Sequence, residues 1–124
     1  MEKQNSSAGR PLLCPRFRIT KGNDIAFGPG KAELLGQVAK TGSISEAAKR
    51  MNMSYMRAWS LIQTMNRCFR EPLVLATRGG TRGGGGAKLT GSGRAVLALY
   101  RQMNRKCLNV VQPEWRKFQK LLRD

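Results

Sequence analysis

The chain has 124 residues, enough for one domain, and 23 lysines and arginines against 7 carboxylates give a formal net charge of +16. This imbalance exceeds what solubility requires and predicts nucleic acid, rather than an anionic membrane surface, as the partner. Histidine is absent, and the three cysteines form no C-x-x-C pair. These counts argue against catalysis, a metal site or a disulfide framework. We expect a non-enzymatic cytoplasmic protein without cofactor, and no apolar run is long enough to span a membrane.

The N-terminal part of the chain divides into an arm and a hairpin. Residues 1–15 are polar and aperiodic, which predicts a disordered arm. Apolar and charged residues then alternate over 16–20, and the alternation resumes at 25–27 after a run of turn residues, so a β-hairpin is predicted. Its apolar residues are expected to cover one end of the core: Phe17, Ile19, Ile25 and Phe27.

Three helices are predicted next, over about 31–40, 43–51 and 54–69. Gly42 is suited to end the first in a left-handed conformation. Ser43 or Ser45 caps the second, and the S-x-x-E pattern at Ser43 matches a capping box. Asn52 suits the tight turn before Ser54, the expected N-cap of the third helix. Two capped helices joined by a tight turn indicate a helix-turn-helix.

The third helix has two unlike faces at 100° per residue. One is apolar and is expected to seat the helix on the core: Tyr55, Ala58, Trp59, Ile62 and Met65. The other carries hydrogen-bonding and cationic side chains without a carboxylate: Met56, Arg57, Ser60, Gln63, Thr64 and Arg67. A carboxylate in a DNA groove would meet phosphates, so this face predicts a recognition helix in the major groove. An ordinary solvated face is the alternative.

A glycine-rich basic ribbon joins two predicted strands, 73–77 and 87–90. It runs from strand to strand without a G-K-[ST] ending, which argues against a nucleotide cradle and favours a wing, with a flexible loop as the alternative. Its side chains predict contacts to the DNA backbone or minor groove: Arg78, Thr81, Arg82 and Lys88. Ser43, Ser45 and Ser54 begin helices and are candidate phosphate contacts, unless their role is capping alone.

A long helix over 92–112 follows, with an apolar stripe that a small domain does not readily cover. The stripe predicts a dimer seam, with intramolecular packing as the alternative: Val96, Leu97, Tyr100, Met103, Cys107 and Val111. A homodimer would match a two-fold DNA site. The expected organisation is therefore an arm (1–15), a DNA-binding domain (16–112) and an amphipathic extension (113–124).

Two stretches, 42–66 and 78–93, resemble a known family. They are similar to the N-terminal DNA-binding domain of ModE-type molybdate-responsive transcription regulators, relatives of the LysR-type winged helix. The matching positions include Ser43, Ser45, Ala47-Ala48, Met53-Ser54-Tyr55, Ala58-Trp59, Met65-Asn66 and Gly83 to Ala87. The resemblance implies a winged helix-turn-helix, dimerisation through the long final helix and promoter binding. Family members carry further domains that bind molybdate, and this chain ends at Asp124, so we expect a single-domain member without a molybdate site.

The sequence thus predicts a mainly α fold with a small β component, a winged helix-turn-helix with an N-terminal β-hairpin, a glycine-rich wing and a long C-terminal dimerisation helix. The expected function is sequence-specific DNA binding by a homodimeric transcriptional regulator. Two alternatives stay open: an architectural DNA-binding protein of low sequence specificity, and a protein-interaction module that uses the C-terminal apolar helix.

Overall fold

The computed structural model describes residues 9–77 and 86–123 and confirms a mainly α fold with small antiparallel ribbons. The elements in chain order are β1 (Ile19–Lys21), β2 (Asp24–Phe27), α1 (Pro29–Thr41), α2 (Ile44–Arg50), α3 (Tyr55–Cys68), β3 (Val74–Ala76), β4 (Ala87–Leu89), α4 (Gly91–Val110) and α5 (Gln112–Leu121). β1 pairs with β2 and β3 with β4, both antiparallel. The 20 residues of α4 extend over about 30 Å.

Helix α1 is the centre of the core. Its face of Leu34, Leu35 and Val38 is fully buried, and the helix touches α2, α3, α4 and both ribbons. The predicted stop is confirmed, because Gly42 has φ 69° and its amide donates to the Val38 carbonyl at 2.8 Å. The start of α2 is therefore held close to the end of α1.

Two of the four apolar residues predicted to cover one end of the core, Phe17 and Phe27, pack against it, and Phe17 is half-buried. Phe27 is fully buried, and its ring packs edge-on against Phe69 and Tyr100, with centroids 6.3 and 5.1 Å away. Ile19 and Ile25 were expected in the core, but they remain 38% and 40% exposed. The pairing register shifts next to Ile19, and a shift of one residue moves side chains to the other face.

The hydroxyl of Tyr100 on α4 ties the segment before the hairpin to the core. It donates to the Phe17 carbonyl at 2.7 Å. Burial of the ring raises the pKa of Tyr100, while nearby Arg16 acts in the opposite direction. The neutral phenol is thus the form that the fold stabilises.

Close backbone packing sets the start of α4. Thr90 Oγ1 accepts from the Gly93 amide at 2.9 Å and donates to the Pro72 carbonyl at 2.7 Å. A Cβ on Gly93 would overlap the Leu73 carbonyl oxygen. Glycine is therefore required at this crossing, where α4 passes over the chain that enters the wing.

The chain continues beyond α4 as a separate short helix. α4 ends at Val110 and α5 begins at Gln112, with Pro113 in its first turn. A proline there lacks only an N–H that would have no helical partner. Leu13 and Pro15, predicted in a disordered arm, line an apolar cavity of about 260 Å³ together with residues of α4 and α5, Cys107 and Trp115 among them. At least this part of the arm packs on the domain.

Candidate nucleic-acid interface

Helices α2 and α3 form the predicted helix-turn-helix, and a serine caps each of them. The Ser43 hydroxyl accepts from the Glu46 amide at 3.1 Å, and the Ser54 hydroxyl accepts from the Arg57 amide at 3.0 Å. Between the helices, Asn52 has φ 56°, the left-handed turn expected of it. These contacts fix the angle at which α3 leaves the turn.

Only half of the predicted capping box forms at α2. The Ser43 amide donates to Thr41 Oγ1 at 3.2 Å, whereas Glu46 Oε2 lies 3.5 Å from Lys49 Nζ. A threonine just before the glycine thus takes the place that the box assigns to glutamate. Ser45 is exposed in the first turn of α2.

Helix α3 buries one face and exposes the opposite one. Ala58, Ile62 and Met65 are almost completely buried. The opposite direction carries an exposed row at spacings of four, three and four residues, which we call the α3 outer row: Met56, Ser60, Gln63 and Arg67. The 14 residues of α3 include no carboxylate. The outer row therefore offers a guanidinium that donates hydrogen bonds, a hydroxyl and a carboxamide that both donate and accept them, and a thioether.

The other two residues predicted on this face, Arg57 and Thr64, lie on its flank, about 70–90° round the helix from the centre of the outer row. Arg57 is exposed, whereas Thr64 is half-buried and donates its hydroxyl proton to the Ser60 carbonyl at 3.1 Å. Arg67 leans toward the same flank, since its Nη2 lies 3.4 Å from Asp24 Oδ2.

Of the two aromatic residues at the start of α3, Trp59 packs against the core as predicted, whereas Tyr55 does not. Tyr55 is 48% exposed, and its ring stacks on that of half-buried Trp59, at a centroid distance of 6.4 Å and an angle of 9°. A helical wheel alone therefore places Tyr55 wrongly, although Ala58 in the same turn of the helix is fully buried. The pair stands on the side of α3 that faces β3.

The side chain of Asn66 joins α3 to the first wing strand. Its Oδ1 accepts from the Leu73 and Val74 amides at 2.8 and 3.2 Å, and its Nδ2 donates to the Val74 carbonyl at 3.1 Å. A cleft of about 120 Å³ lies between α3 and β3, with Gln63 and Leu75 in its lining. The Asn66 side chain therefore ties the start of β3 to α3.

The base of the wing is closed by backbone contacts. The Thr77 amide donates to the Gly86 carbonyl at 2.7 Å, and the Ala87 amide donates to the Gly42 carbonyl at 2.9 Å. Lys88 is exposed on β4 and pairs across the ribbon with Leu75. The predicted contacts Arg78, Thr81 and Arg82 lie outside the described residues.

The predicted dimer stripe on α4 is divided by the fold. Leu97 and Tyr100 are buried in the core of the single chain, at 6% and 3% exposure, so these two are corrected to core residues. Val96, Cys107 and Val111 are half-buried, and Met103 is 42% exposed.

An exposed row lies on the next side of α4, and of its three residues only Met103 belongs to the predicted dimer stripe. It consists of Leu99, Met103 and Val110, at 58%, 42% and 75% exposure, and we call it the α4 apolar row. Its spacing of four and seven residues was readable from the sequence. A wider apolar stripe that includes core residues lies beside this row, and the sequence pattern does not separate the two.

Other kinds of site find no support in residues 9–77 and 86–123. Over these residues, no group of three or more histidine, cysteine or carboxylate side chains is placed to hold a metal ion. No helix in the same part of the chain combines the length and apolarity that a bilayer span needs.

Comparison with known proteins places this geometry in a family. The model of the bacterial regulatory helix-turn-helix proteins of the lysR family matches residues 31–94, from the first turn of α1 to the start of α4. The match covers α2, α3 and both wing strands. It thus contains every element of the candidate interface except the hairpin.

Individual relatives agree with this match. The chain is 38% identical over 100 residues to the molybdenum-pterin-binding protein MopB of Rhodobacter capsulatus, covering 81% of this chain and 37% of MopB. It is 44% identical over 96 residues to the molybdenum transport protein ModE of Azotobacter vinelandii, covering 74% and 35%. For the DNA-binding transcriptional dual regulator ModE of Escherichia coli K12, identity is 38% over 89 residues, covering 69% and 34%.

The chain thus spans little more than a third of the length of these relatives. The resemblance to ModE-type regulators is confirmed for the helix-turn-helix region, and the relatives are regulators or transport and binding proteins by name, not enzymes. The chain belongs to the lysR family of bacterial regulatory helix-turn-helix proteins.

Proposed function

We propose that this domain regulates transcription by binding operator DNA as a homodimer, with α3 in the major groove and the wing on the backbone or minor groove. The observation that carries the proposal is the α3 outer row, a line of exposed side chains on a capped helix that has no carboxylate. Gln63 suits adenine, Arg67 suits guanine or a phosphate, and Ser60 suits either a base edge or the backbone.

The wing and the N-termini of α2 and α3 supply contacts to the DNA backbone, which do not depend on base sequence. Lys88 is exposed on β4. Together with Arg78, Thr81 and Arg82 of the glycine-rich segment, it is proposed to contact phosphates. Ser43, Ser45 and Ser54 stand at the starts of α2 and α3, where backbone amides favour anions. A formal charge of +16 adds non-specific affinity that falls steeply with salt.

The homodimer is proposed to form through the α4 apolar row. Leu99, Met103 and Val110 are exposed apolar side chains along one side of a long helix, which is what a helix–helix seam requires. A Met103→Glu variant should remain folded, since the side chain is 42% exposed, and should sediment as a monomer. The Gln102→Glu variant adds the same charge at an exposed neighbour outside the row and should stay dimeric.

The test of the DNA-binding proposal is selection from a random duplex pool, followed by anisotropy titrations with the selected duplex and a scrambled one. The relatives' names make promoters of molybdenum transport genes natural duplexes to include. Gln63→Ala should relax preference at particular base positions by about 1–3 kcal/mol, because it removes a base-edge contact. Lys88→Gln should weaken binding to both duplexes about equally.

Two results would contradict the proposal. Selection that enriches no common sequence would favour an architectural protein of low specificity, to which the high positive charge is also suited. Variants of the α3 outer row that leave affinity for both duplexes unchanged would remove α3 from the interface.

A further inference from the structure

A cluster of charged side chains lies on the flank of α3 opposite the wing, and we call it the hairpin corner. Its members come from three elements: Asp24 of β2, Lys31 of α1, and Arg57 and Arg67 of α3. Arg67 Nη2 lies 3.4 Å from Asp24 Oδ2. The Cys68 sulfur lies 3.9 Å from the same carboxylate oxygen, so the start of β2 stands directly beside the last turn of α3.

The hairpin corner is held by the core. β2 ends in the fully buried Phe27, whose ring packs edge-on against Phe69, just beyond the end of α3. Lys31 lies in the first turn of α1, the helix that follows β2, and is half-buried. The backbone segments that carry the four charged groups are therefore held by the core.

The hairpin corner carries more positive than negative charge. Three cations, Lys31, Arg57 and Arg67, and one carboxylate, that of Asp24, give the hairpin corner a net charge of +2. Burial lowers the pKa of Lys31. Cys68 and Asp24 act in the opposite direction, and Arg57 adds to the lowering, so these groups act on one another. An ammonium group that has lost part of its hydration gains more from an anion than a fully solvated one.

The contact between Arg67 and Asp24 is easily exchanged. Both side chains are largely open to water, at 61% and 42% exposure, and ion pairs of this kind are weak. Arg67 also belongs to the α3 outer row, so the hairpin corner continues the proposed DNA surface without a break. A phosphate placed beside α3 could take over the guanidinium from Asp24.

We propose that the hairpin corner is a second backbone site, at which Lys31, Arg57 and Arg67 each contact one of several neighbouring phosphate diesters of the duplex on the side of α3 away from the wing. Asp24 is a positioning residue that holds Arg67 toward this site in the free protein. The inference rests on the proposed function and deepens it: α3 is flanked by phosphate contacts on both sides, from the wing and from the hairpin corner.

The test is a salt series of anisotropy titrations on the selected and the scrambled duplex, with the Lys31→Gln variant. Each phosphate contact contributes about 0.9 to the slope of log K against log salt. Lys31→Gln should therefore lower the magnitude of the slope by about 0.9 for both duplexes. The ratio of wild-type to variant affinity should then change about threefold between 50 and 200 mM salt. The Lys117→Gln variant, with the same charge change on exposed α5, should leave the slope within error of the wild type.

Asp24→Asn tests the positioning role. It should tighten binding to both duplexes, and the gain should shrink when Arg67→Gln is added, because the released guanidinium would no longer be present to contact the phosphate. Additive effects of the two substitutions would remove the positioning role of Asp24. Thermal unfolding of each variant checks folding, and Arg57→Gln repeats the slope measurement if Lys31→Gln is unstable.

The outcomes separate this inference from the proposed function. If the wild type prefers the selected duplex but Lys31→Gln, Arg57→Gln and Asp24→Asn all match Lys117→Gln, the hairpin corner is not a DNA site and the proposed function stands. If the wild type binds neither duplex, both fail together.

Discussion

Replacement of Asn66 by alanine should destabilise the domain far more than any other loss of a half-exposed polar side chain on α3. The amide makes three hydrogen bonds with the chain that enters the wing, to both amides and the carbonyl at Leu73 and Val74. Leu73 and Val74 are 0% and 3% exposed. Their backbone groups would therefore lose partners in a place that water reaches poorly.

The magnitude follows from these contacts. A hydrogen bond contributes about 1 kcal/mol net, and an unsatisfied buried group costs about 1–3 kcal/mol. Three bonds, partly replaced by water at the strand edge, give a loss of about 2–4 kcal/mol in the free energy of unfolding. For a domain of this size, such a loss lowers Tm by roughly 8–16 °C.

Urea titration followed by circular dichroism measures this loss. Gln63→Ala, one turn earlier and exposed, is the matched control and should change stability by less than about 0.5 kcal/mol. If Asn66→Ala also falls within about 0.5 kcal/mol of the wild type, the amide does not hold the wing to α3, and the reasoning from buried backbone groups is refuted.

Three other substitutions test the remaining parts of the fold. Gly93→Ala should cost more than about 2 kcal/mol in unfolding free energy, because its Cβ would overlap the carbonyl of Leu73. The control Gly30→Ala has open space around the new Cβ and should be neutral or slightly stabilising. Equal effects of the two substitutions would contradict the close crossing. Tyr100→Phe should cost about 1 kcal/mol. The raised pKa of Tyr100 gives stability that is present below pH 10 and lost as pH rises through the folded pKa, so the variant should lose stability less steeply at alkaline pH. Ser54→Ala should cost about 1 kcal/mol through loss of the α3 cap, and an unchanged urea midpoint would exclude this cap as a source of stability.

Local signals predicted the helix-turn-helix well because they act over a few residues. The left-handed Gly42, the turn at Asn52 and the serine cap at Ser54 each satisfy backbone groups within one turn of helix. The outer row of α3 followed from the same helical period. The helical period alone predicts both which residues form this row and that they are exposed.

Long-range packing accounts for the predictions that failed. A helical wheel assigned Tyr100 to a dimer seam, yet the core lies on that side of α4 and its hydroxyl reaches Phe17, 83 residues away in sequence. The same wheel placed Tyr55 on the core, yet its side chain is 48% exposed and stacks on Trp59. Nor does any local pattern show that Asn66 would bond to β3 or that Asp24 would meet Arg67. Such pairs are set by how elements cross.

The ratio of affinities for the selected and scrambled duplexes tests most directly whether α3 reads operator sequence. At physiological salt, the wild-type protein should bind the selected duplex at least about a thousandfold more tightly. Equal affinity for the two duplexes would contradict the claim and leave a protein that binds DNA through its charge alone.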